Sequence, residues 1–425
     1  MKRGLTLLLG IGCLLGLSSC HLFWDVVSVG ESDGASSPTE ESSKSPSLSS
    51  PVLEYGPLEI HFLELGNANT GDSVYIQAGD NDILIDAGSR KNSASAIESY
   101  LDPLVEDGKL EYVFATHAHQ DHIAGFVGNS SSSAPGGRDG ILYHYEIGSI
   151  IDFAYYDDGG SAVYDNAEPL PSDNDATAIY EDYREAREYA IGNGASWQTV
   201  KELFASGEEV YTIDLGEGVY LDVLYTYFYD HTSAELKGLN ADFTKSGFSA
   251  QNDCSVCLLL RQGEHSFLFT GDAEEYCEYS LATTHDLPEV DLFKAGHHGS
   301  YTASGELLLS EIKPDIVCVC CCAGNQEYAT NPKHSFPAQE AIDRIAEYTD
   351  RVYVTSLGSW EDSSHVEPLN GTIKVSSSLQ TGIEVECSHS NDVLKLQPWF
   401  KENRDCPSQW ASGEENASFR LKRRL

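Results

Sequence analysis

The N-terminal half of the folded region alternates short apolar runs with polar turns. Residues 58–65, 72–77 and 82–86 carry strand patterns, residues 93–104 carry a helical pattern, and residues 110–116 form another strand. The chain then enters a loop rich in histidine. Ligand sites in layered α/β proteins often lie at the C-terminal ends of strands, so this loop is a candidate site.

A second series of strands and helices begins near residue 254. Its first two strands form a hairpin pattern around Gln262-Gly263, and helices and strands then alternate. The predicted elements are strands 254–261 and 266–270, helix 273–282, strand 290–295, helix 304–312, strand 315–322, helix 337–348 and strand 351–355. The two series predict two sheets packed face to face, with helices on the outer faces.

The two series are separated by residues 128–215, which are predicted to be an insertion. Residues 128–139 are rich in Ser and Gly and are predicted to be a loop, as is the acidic stretch 157–175. Residues 177–191 are predicted to form an exposed helix, and residues 197–204 are a candidate for another. An insertion after a candidate metal loop often shapes a substrate cleft. A surface decoration fits the same pattern.

The first 55 residues differ in composition from the rest. In residues 1–20, a charged start precedes an apolar run that is too short to span a bilayer comfortably. The run ends in Leu17-Ser18-Ser19-Cys20, which resembles a bacterial lipoprotein cleavage box. We therefore expect a lipid on Cys20 that anchors the protein at the extracellular face of the cell membrane, with an ordinary cleaved signal peptide as the alternative. The Ser-rich residues 21–55 are predicted to be a flexible tether.

The formal net charge of −41 bears on the expected partners. Nucleic-acid affinity comes largely from Lys and Arg, so the charge argues against long-range attraction of DNA. It does not exclude a DNA substrate, because bound cations invert the local field at a site. We favour a solvated acidic surface that keeps a secreted protein soluble. No protein partner is predicted.

Nine of the eleven cysteines follow Cys20 in the sequence. Cys254 and Cys257 have the spacing of a redox or zinc pair. This pair adjoins an apolar run, however, and residues 317–322 form another, so the cysteines of both are predicted to be core residues. Cys387 and Cys406 are a candidate disulfide.

The histidine loop carries the strongest chemical signal. His117-Ala-His119-Gln-Asp121-His122 places four candidate metal ligands within six residues. Three imidazoles and a carboxylate suit two divalent cations a few ångströms apart. Chance histidines in a polar loop are the alternative, and it is disfavoured because further candidates follow in order.

Three later segments continue the motif. Asp272 follows a predicted strand in Thr-Gly-Asp, and His297 and His298 follow the next strand in Ala-Gly-His-His-Gly-Ser. His334 lies between a strand and a helix that begins at Pro337. Each segment alone is weak evidence, but their order is specific.

In this order of motifs the chain resembles the metallo-β-lactamase superfamily, and within it the hydrolase domain of the ComEC competence-protein group. The matching stretches are residues 61–66, 84–88, 116–125, 269–273, 293–300 and 334–337. The resemblance implies an α/β fold, an αββα sandwich with an inserted segment, spanning residues 56–380 and followed by a C-terminal extension at 381–425. It also implies two divalent cations, zinc or in some members manganese.

The resemblance assigns a role to each candidate ligand. It implies that His117 and His119 hold a first cation and that Asp121, His122 and His334 hold a second. The carboxylate of Asp272 would bridge the two cations. Asp86 would orient the histidine loop without binding a cation itself.

One expected ligand of the first cation is absent from the pattern. Many superfamily members have a further His between the first motif and the bridging Asp. Here His144 and His231 are not convincing candidates, and Asn252-Asp253 stands at a place where the competence-type group also tends to lack that His.

These residues predict a metal-dependent hydrolase, and a phosphodiesterase acting outside the cell is the leading hypothesis. A hydroxide activated by two cations would attack, with Asp121 helping to orient it. His297 or His298 would protonate the departing oxygen or serve as a further ligand. DNA is one candidate substrate; a cell-wall phosphodiester or a small ester is the alternative. A lipoprotein that captures metal or a partner on the same scaffold is the non-enzyme alternative.

Overall fold

The computed structural model describes residues 55–153, 178–231, 250–378 and 382–411. The predicted signal peptide, nearly all of the predicted tether and the acidic stretch 157–175 lie outside these ranges. Within them, no helix combines the length and the apolar character that crossing a bilayer requires.

Sixteen strands lie in the described ranges. In chain order they are β1 Leu58–Phe62, β2 Val74–Ala78, β3 Asn81–Ile85, β4 Lys109–Ala115, β5 Glu146–Asp152, β6 Ser196–Thr199, β7 Val210–Gly216, β8 Val219–Leu224, β9 Cys257–Gln262, β10 His265–Phe269, β11 Leu292–Lys294, β12 Ile316–Ala323, β13 Val352–Leu357, β14 Glu367–Pro368, β15 Ile373–Ser378 and β16 Gly382–Cys387.

Helices fill most of the long connections between strands. The α-helices are α1 Ser93–Leu101, α2 Gln120–Val127, α3 Ile141–His144, α4 Ala178–Gly192, α5 Val200–Leu203, α6 Ala250–Asp253, α7 Glu275–Thr284, α8 Glu306–Ile312, α9 Gln339–Ile345, α10 Pro398–Asn403 and α11 Ser408–Ala411. Short 3₁₀ turns span Pro135–Gly137, Tyr227–Tyr229, Gly296–Gly299, Pro332–His334 and Leu394–Leu396.

The strands form two eight-stranded sheets. The first has the order β16-β15-β1-β2-β3-β4-β5-β6 and the second β14-β13-β12-β11-β10-β9-β8-β7. In each sheet the strands that lead into the candidate site are parallel, β3 to β4 in the first and β10 through β12 in the second. Phe62 of the first sheet and Phe269 of the second contact each other, with ring centroids 6.3 Å apart. The predicted two-sheet α/β architecture is confirmed.

The predicted insertion, residues 128–215, contributes three strands to the two sheets. Strands β5 and β6 extend the first sheet in parallel beyond β4, and β7 is an edge of the second. Residues 197–204 divide between the end of β6 and the short helix α5. The sequence pattern missed β5 and β6 because their neighbours in the sheet are distant in sequence.

Helix α4 is less exposed than predicted. It packs against α2 and buries Tyr180, Tyr183 and Ala190. Arg187 is also buried, where its guanidinium donates to Asp152 at 2.7 Å and lies 3.9 Å from the ring of Trp197. Tyrosines and an arginine form the buried face, and the sequence pattern of such a face resembles that of a solvated helix.

The predicted domain boundary at residue 380 lies in sequence between two strands that pair with each other. Strand β16 pairs antiparallel with β15 and is an edge of the first sheet. Phe400 of α10 and Trp410 of α11 are buried, with ring centroids 5.5 Å apart. Residues 382–411 therefore complete the fold rather than extend from it.

The cysteines behave mainly as core residues. Cys254 and Cys257 are buried, as are the cysteines of β12, which confirms the prediction for both groups. Cys387 and Cys406 are both free thiols, so the candidate disulfide between them is not formed.

Candidate metal centre

The histidine loop lies between β4 and α2. The apolar strand β4 ends at Ala115, and His117 follows in the loop as a fully buried side chain. His119 is the N-cap of α2, with extended backbone, and Asp121 and His122 lie in the first turn of that helix. The strand and the helix therefore fix the loop at both ends, which is the local reason that four polar side chains converge.

Helix α2 packs unusually closely on the loop that follows β3. The backbone N–H of Gly125 donates to the carbonyl of Ala87 at 2.5 Å. A Cβ on Gly88 would lie 1.5 Å from the carbonyl oxygen of Asp121. Only glycine fits at such a distance, so these two glycines allow the helix with two candidate ligands to reach the centre.

The Asp272 carboxylate lies at the middle of the cluster. Its Oδ2 is 3.1 Å from Nε2 of His122 and 3.3 Å from Nε2 of His298. The same oxygen is 3.8 Å from Nε2 of His297 and 3.9 Å from Nε2 of His117. Two of these imidazoles follow strand β4 of the first sheet and two follow strand β11 of the second, and each points one nitrogen at the same carboxylate oxygen.

The donor atoms of this cluster fit a divalent cation. Nε2 of His122, Nε2 of His298 and Oδ1 of Asp272 are buried and make no hydrogen bond, although they lie close together. Leaving buried polar atoms unpaired costs free energy, which a cation held among them would remove. Imidazole nitrogens and carboxylate oxygens are the ligands that zinc prefers besides thiolates. The ligand roles themselves stay predictions.

Asp86 contacts the histidine loop in the manner that its predicted orienting role requires. Its Oδ2 accepts from Nδ1 of His122 at 2.7 Å, so Nε2 of that imidazole faces Asp272. The same carboxylate accepts from the backbone N–H and the hydroxyl of Thr116, each at 2.7 Å. A carboxylate behind a ligating imidazole fixes its ring orientation and raises its basicity.

Asp72 and Lys294 also support the centre, and sequence analysis missed both. Asp72 Oδ1 lies 3.0 Å from Nδ1 of His298, whose Nδ1 also donates to the carbonyl of Cys320 at 2.9 Å. The Lys294 ammonium contacts the Asp72 carboxylate and donates to the carbonyl of Gly271 at 2.8 Å. A lysine within an apolar predicted strand was the available signal for this buried pair.

Asp72 belongs to a group of four buried residues, with His122, Asp272 and His298, whose ligand atoms lie within 4.8 Å of one another. Its carboxylate is in contact with the Lys294 ammonium, however, which neutralises its charge. We therefore assign Asp72 to the support of His298 rather than to the metal itself.

His334 is not brought to the cluster. Its Nε2 lies 3.3 Å from Oε1 of Glu340, and its ring lies 4.8 Å from that of Tyr301. Neither ring nitrogen is within ion-pair distance of Asp121 or Asp272, so the structure does not bring His334 into the second ligand set as predicted. His298, with Nε2 3.6 Å from Oδ2 of Asp121, lies where His334 was expected. The choice between His298 and His334 as a ligand depends on how far the 332–334 turn lies from the centre. The order of the motifs in the sequence does not specify that distance.

His297 adjoins His298 but has different surroundings. Both residues have left-handed backbone, with φ of 43° and 54°. His297 Nδ1 donates to Oε1 of Glu274 at 2.8 Å, and the same oxygen accepts from the hydroxyl of Thr302 at 2.9 Å. His297 is partly exposed whereas His298 is fully buried. Of the two, His297 is the one available to a substrate.

The electrostatics of the centre concentrate positive charge around Asp272. Burial opposes ionisation, but Asp272 and then Asp86 raise the pKa of His122 to about 10. Against the same opposition, Asp272 and Asp72 raise the pKa of His298 well above its ordinary value. Burial, followed by the charge on His122, lowers the pKa of His117 well below its ordinary value. The carboxylates therefore favour positive charge on His122 and His298 when no cation is bound.

The other candidate histidines lie away from the centre. His144 is exposed and contacts Asp102, with Nε2 2.9 Å from Oδ1. His231 contacts its neighbour Asp230. At the place noted for a missing ligand, Asp253 is buried and accepts from the backbone N–H groups of Glu274 and Cys277, so it caps α7 rather than facing the cluster.

A cavity of about 590 Å³ opens beside the cluster. His119, Asp121, Asp272 and His297 line its inner side. This volume lies within the usual range for small-molecule sites. A substrate in the cavity would therefore meet the candidate metal ligands directly.

Comparison with known proteins agrees with this geometry. Residues 66–128 match the model of the metallo-beta-lactamase superfamily. The chain is 29% identical over 151 residues to Recombination protein 2 of Haemophilus influenzae, covering 36% of this chain and 16% of that protein. It is 26% identical over 107 residues to ComE operon protein 3 of Bacillus subtilis, covering 25% of this chain and 13% of that protein. The chain thus spans less than a fifth of the length of the curated relatives it matches.

Solved structures also resemble this chain. The metallo-beta-lactamase fold protein YhfI of Bacillus subtilis is 11% identical, with a TM-score of 0.37 and coverage of 73% of this chain and 99% of that one. A diphosphatase of the PhnP family is 13% identical, with a TM-score of 0.33 and coverage of 71% and 96%. The matched residues 66–128 contain the whole histidine loop, which follows strand β4 of the first sheet. The chain therefore has the metallo-beta-lactamase fold, mixed α/β with two large sheets, and residues 66–128 are similar to that superfamily.

Proposed function

We propose that this protein is a metal-dependent phosphodiesterase. The observation that carries the proposal is the ring of imidazole Nε2 atoms around Oδ2 of Asp272, the nearest two at 3.1 and 3.3 Å. When bound, two divalent cations supply an activated water and stabilise charge on the attacking and leaving oxygens of a displacement at phosphorus. Zinc is the expected metal and manganese the alternative, since the residues around the centre offer imidazole and carboxylate but no thiolate.

We assign each residue of the centre a role from its position. His117 and His119, with Nε2 and Nδ1 2.9 Å apart, would hold the first cation. Asp121, His122 and His298 would hold the second, with Asp272 bridging the two. Asp121 also lines the cavity, where its carboxylate can orient the attacking water.

Proton donation to the leaving group is assigned to His297. Its Nδ1 is held by Glu274, which leaves Nε2 directed towards the cavity and Asp272. A general acid must lie within hydrogen-bond reach of the departing oxygen, and His297 lines the cavity whereas His298 is enclosed by Asp72 and Cys320.

The phosphodiester substrate and the extracellular location rest on different grounds. Paired cations suit phosphoryl oxygens on both sides of a displacement, and one relative is named a recombination protein, which favours a phosphodiester over a small ester. The location depends on residues 1–20 alone. Partitioning of the full chain, with and without Cys20→Ser, between detergent and aqueous phases tests the lipid anchor.

Hydrolysis of bis(p-nitrophenyl) phosphate by the purified protein tests the proposed activity. We expect turnover that a chelator abolishes and that added zinc or manganese restores. His119→Ala should reduce the rate by at least about a hundredfold, because it removes a ligand at the cavity wall. His365→Ala, at a surface histidine beside Glu367, is the matched control and should leave the rate unchanged.

Two outcomes would contradict the proposal. Turnover that survives both chelation and His119→Ala would show that the centre does not perform the reaction. Tight, stoichiometric metal binding without turnover of any ester would favour the capture hypothesis instead.

A further inference from the structure

One side of the cavity is formed by aromatic rings. Tyr301, Tyr328, His334 and Phe336, which we call the aromatic wall, all line it. Tyr301 is 50% exposed and Tyr328 is 63% exposed, and both are among the most exposed large hydrophobic side chains of the described residues. Exposed aromatic groups gathered at a cavity mark a binding surface more often than isolated ones do.

The aromatic wall is continuous with the candidate metal centre. The Phe336 ring lies 5.7 Å from His297 and 5.6 Å from His298. The Tyr328 ring lies 6.2 Å from Phe336, further from the histidines. A ligand with one group at the metals can therefore also place a ring against Tyr328.

Core packing does not explain the position of Tyr328. Its backbone is left-handed, with φ of 61°, which bulky side chains rarely adopt. Its ring is nevertheless mostly in solvent. Backbone strain that serves no core contact is typical of functional positions.

Other residues of the cavity lining are polar. Asn252 lines the cavity, and its Nδ2 donates to Oε1 of Glu274 at 3.2 Å, an oxygen that also accepts from the hydroxyl of Thr302. The cavity thus offers a planar apolar surface and a place for an anion at the metals.

We propose that the aromatic wall stacks on the nucleobase of a small nucleotide phosphodiester whose phosphate lies at the metal centre. This inference rests on the proposed phosphodiesterase function and names its substrate class. Aromatic side chains stack on bases of any sequence, because every base has a π face.

A small substrate fits the charges better than a polymer does. Among the described residues that line the cavity, none is Lys or Arg. The net charge of −41 also repels a polyanion at long range. Inside the cavity a long nucleic acid would find no Lys or Arg for its phosphates, whereas the phosphate of a nucleotide needs only the metals.

Two esters with the same leaving group isolate the stacking contribution. Thymidine 5′-(p-nitrophenyl phosphate) carries a base, and methyl p-nitrophenyl phosphate does not. Tyr328→Ala should lower kcat/KM for the thymidine ester about tenfold, mainly through KM, because a stacked base is lost. The methyl ester should be unaffected, and Tyr328→Phe should retain the wild-type preference. Tyr211→Ala, at an exposed tyrosine of the edge strand β7, is the control.

Other results would overturn the inference. Equal kcat/KM for the two esters, or an equal effect of Tyr328→Ala on both, would remove the stacking subsite while leaving the phosphodiesterase intact. Faster cleavage per bond of a long single-stranded oligonucleotide than of thymidylyl-thymidine would overturn the small-substrate class.

Failure of the proposed function itself has a different signature. If the wild-type protein hydrolyses neither ester, equilibrium dialysis with thymidine 5′-monophosphate still tests the subsite. Binding that Tyr328→Ala weakens and Tyr211→Ala preserves would support the aromatic wall as a nucleotide site without catalysis. Absence of binding would refute it.

Discussion

At the scale of single residues, the centre depends on carboxylates that contact Nδ1 of an imidazole and so orient its Nε2. Asp86 accepts from Nδ1 of His122, and Asp72 lies against Nδ1 of His298. Each pairing leaves Nε2 facing Asp272. Because an imidazole has only two nitrogens, fixing one of them decides where the other points.

Asp86→Asn tests this arrangement. The amide keeps the shape of the side chain but lacks its charge, so His122 becomes less basic and is held less firmly. We expect metal affinity to fall about ten- to a hundredfold, as for other residues behind metal-bound histidines. Competition with a chromophoric chelator measures the affinity. Asp102→Asn alters a similar carboxylate–histidine pair at the surface, with His144, and should not change it; equal affinity in the two variants would contradict the role of Asp86.

At the scale of elements, the site is built where strand ends meet one helix. Helix α2 carries Asp121 and His122, and it is held between the loop after β3 and helix α4. Gly125 lies within this contact, where a Cβ would come within 2.3 Å of the carbonyl oxygen of Ala87. Backbone cannot yield as a flexible side chain does, so the helix would have to move.

Gly125→Ala should therefore weaken metal binding and stability together. We expect a loss of about 1–3 kcal/mol in the free energy of unfolding, as for other overpacked sites. Urea denaturation of the metal-free protein measures the stability, and chelator competition measures the affinity. Gly192→Ala, at the end of α4 where a Cβ would meet nothing within 4 Å, is the control and should be neutral or stabilising. Unchanged metal affinity in Gly125→Ala would show that the position of α2 is not critical.

At the scale of the whole molecule, the negative charges of the centre must be balanced whether or not metal is bound. Without cations, protons on His122 and His298 supply that balance, because Asp272 and the carboxylates behind the two imidazoles raise their pKa values. A proton and a cation therefore compete for the same nitrogens.

The competition predicts opposite behaviour of the metal-free and metal-loaded proteins on raising the pH. The pKa of His122 is raised to about 10, so its stabilising effect is complete below its ordinary pKa of 6.5 and is lost as pH rises towards 10. We expect the Tm of the chelated protein to fall between about pH 7 and about pH 10, while that of the metal-loaded protein stays level or rises. Scanning calorimetry on both forms measures this, and the difference between them cancels the contribution of the acidic surface. Parallel curves would contradict the proposed competition.

Local sequence pattern determined the elements near the site and the identity of most of its residues. Strands β1 to β4, helix α1 and the strands from β9 to β13 were predicted because periodicity and turn residues act within a few positions. The histidine loop was recognisable for the same reason, since its four polar side chains are neighbours in sequence.

Tertiary structure decided which distant residues meet. It brought His298 to Asp272 and left His334 against Tyr301, although both histidines follow strands of the same sheet. It also brought together Asp72 and Lys294, one from each side of the sandwich. Such contacts depend on how the two sheets pack and how far each loop reaches, and no local pattern records either quantity. The sequence alone thus determined the chemistry available, and the packing of the sheets determined which side chains share the centre.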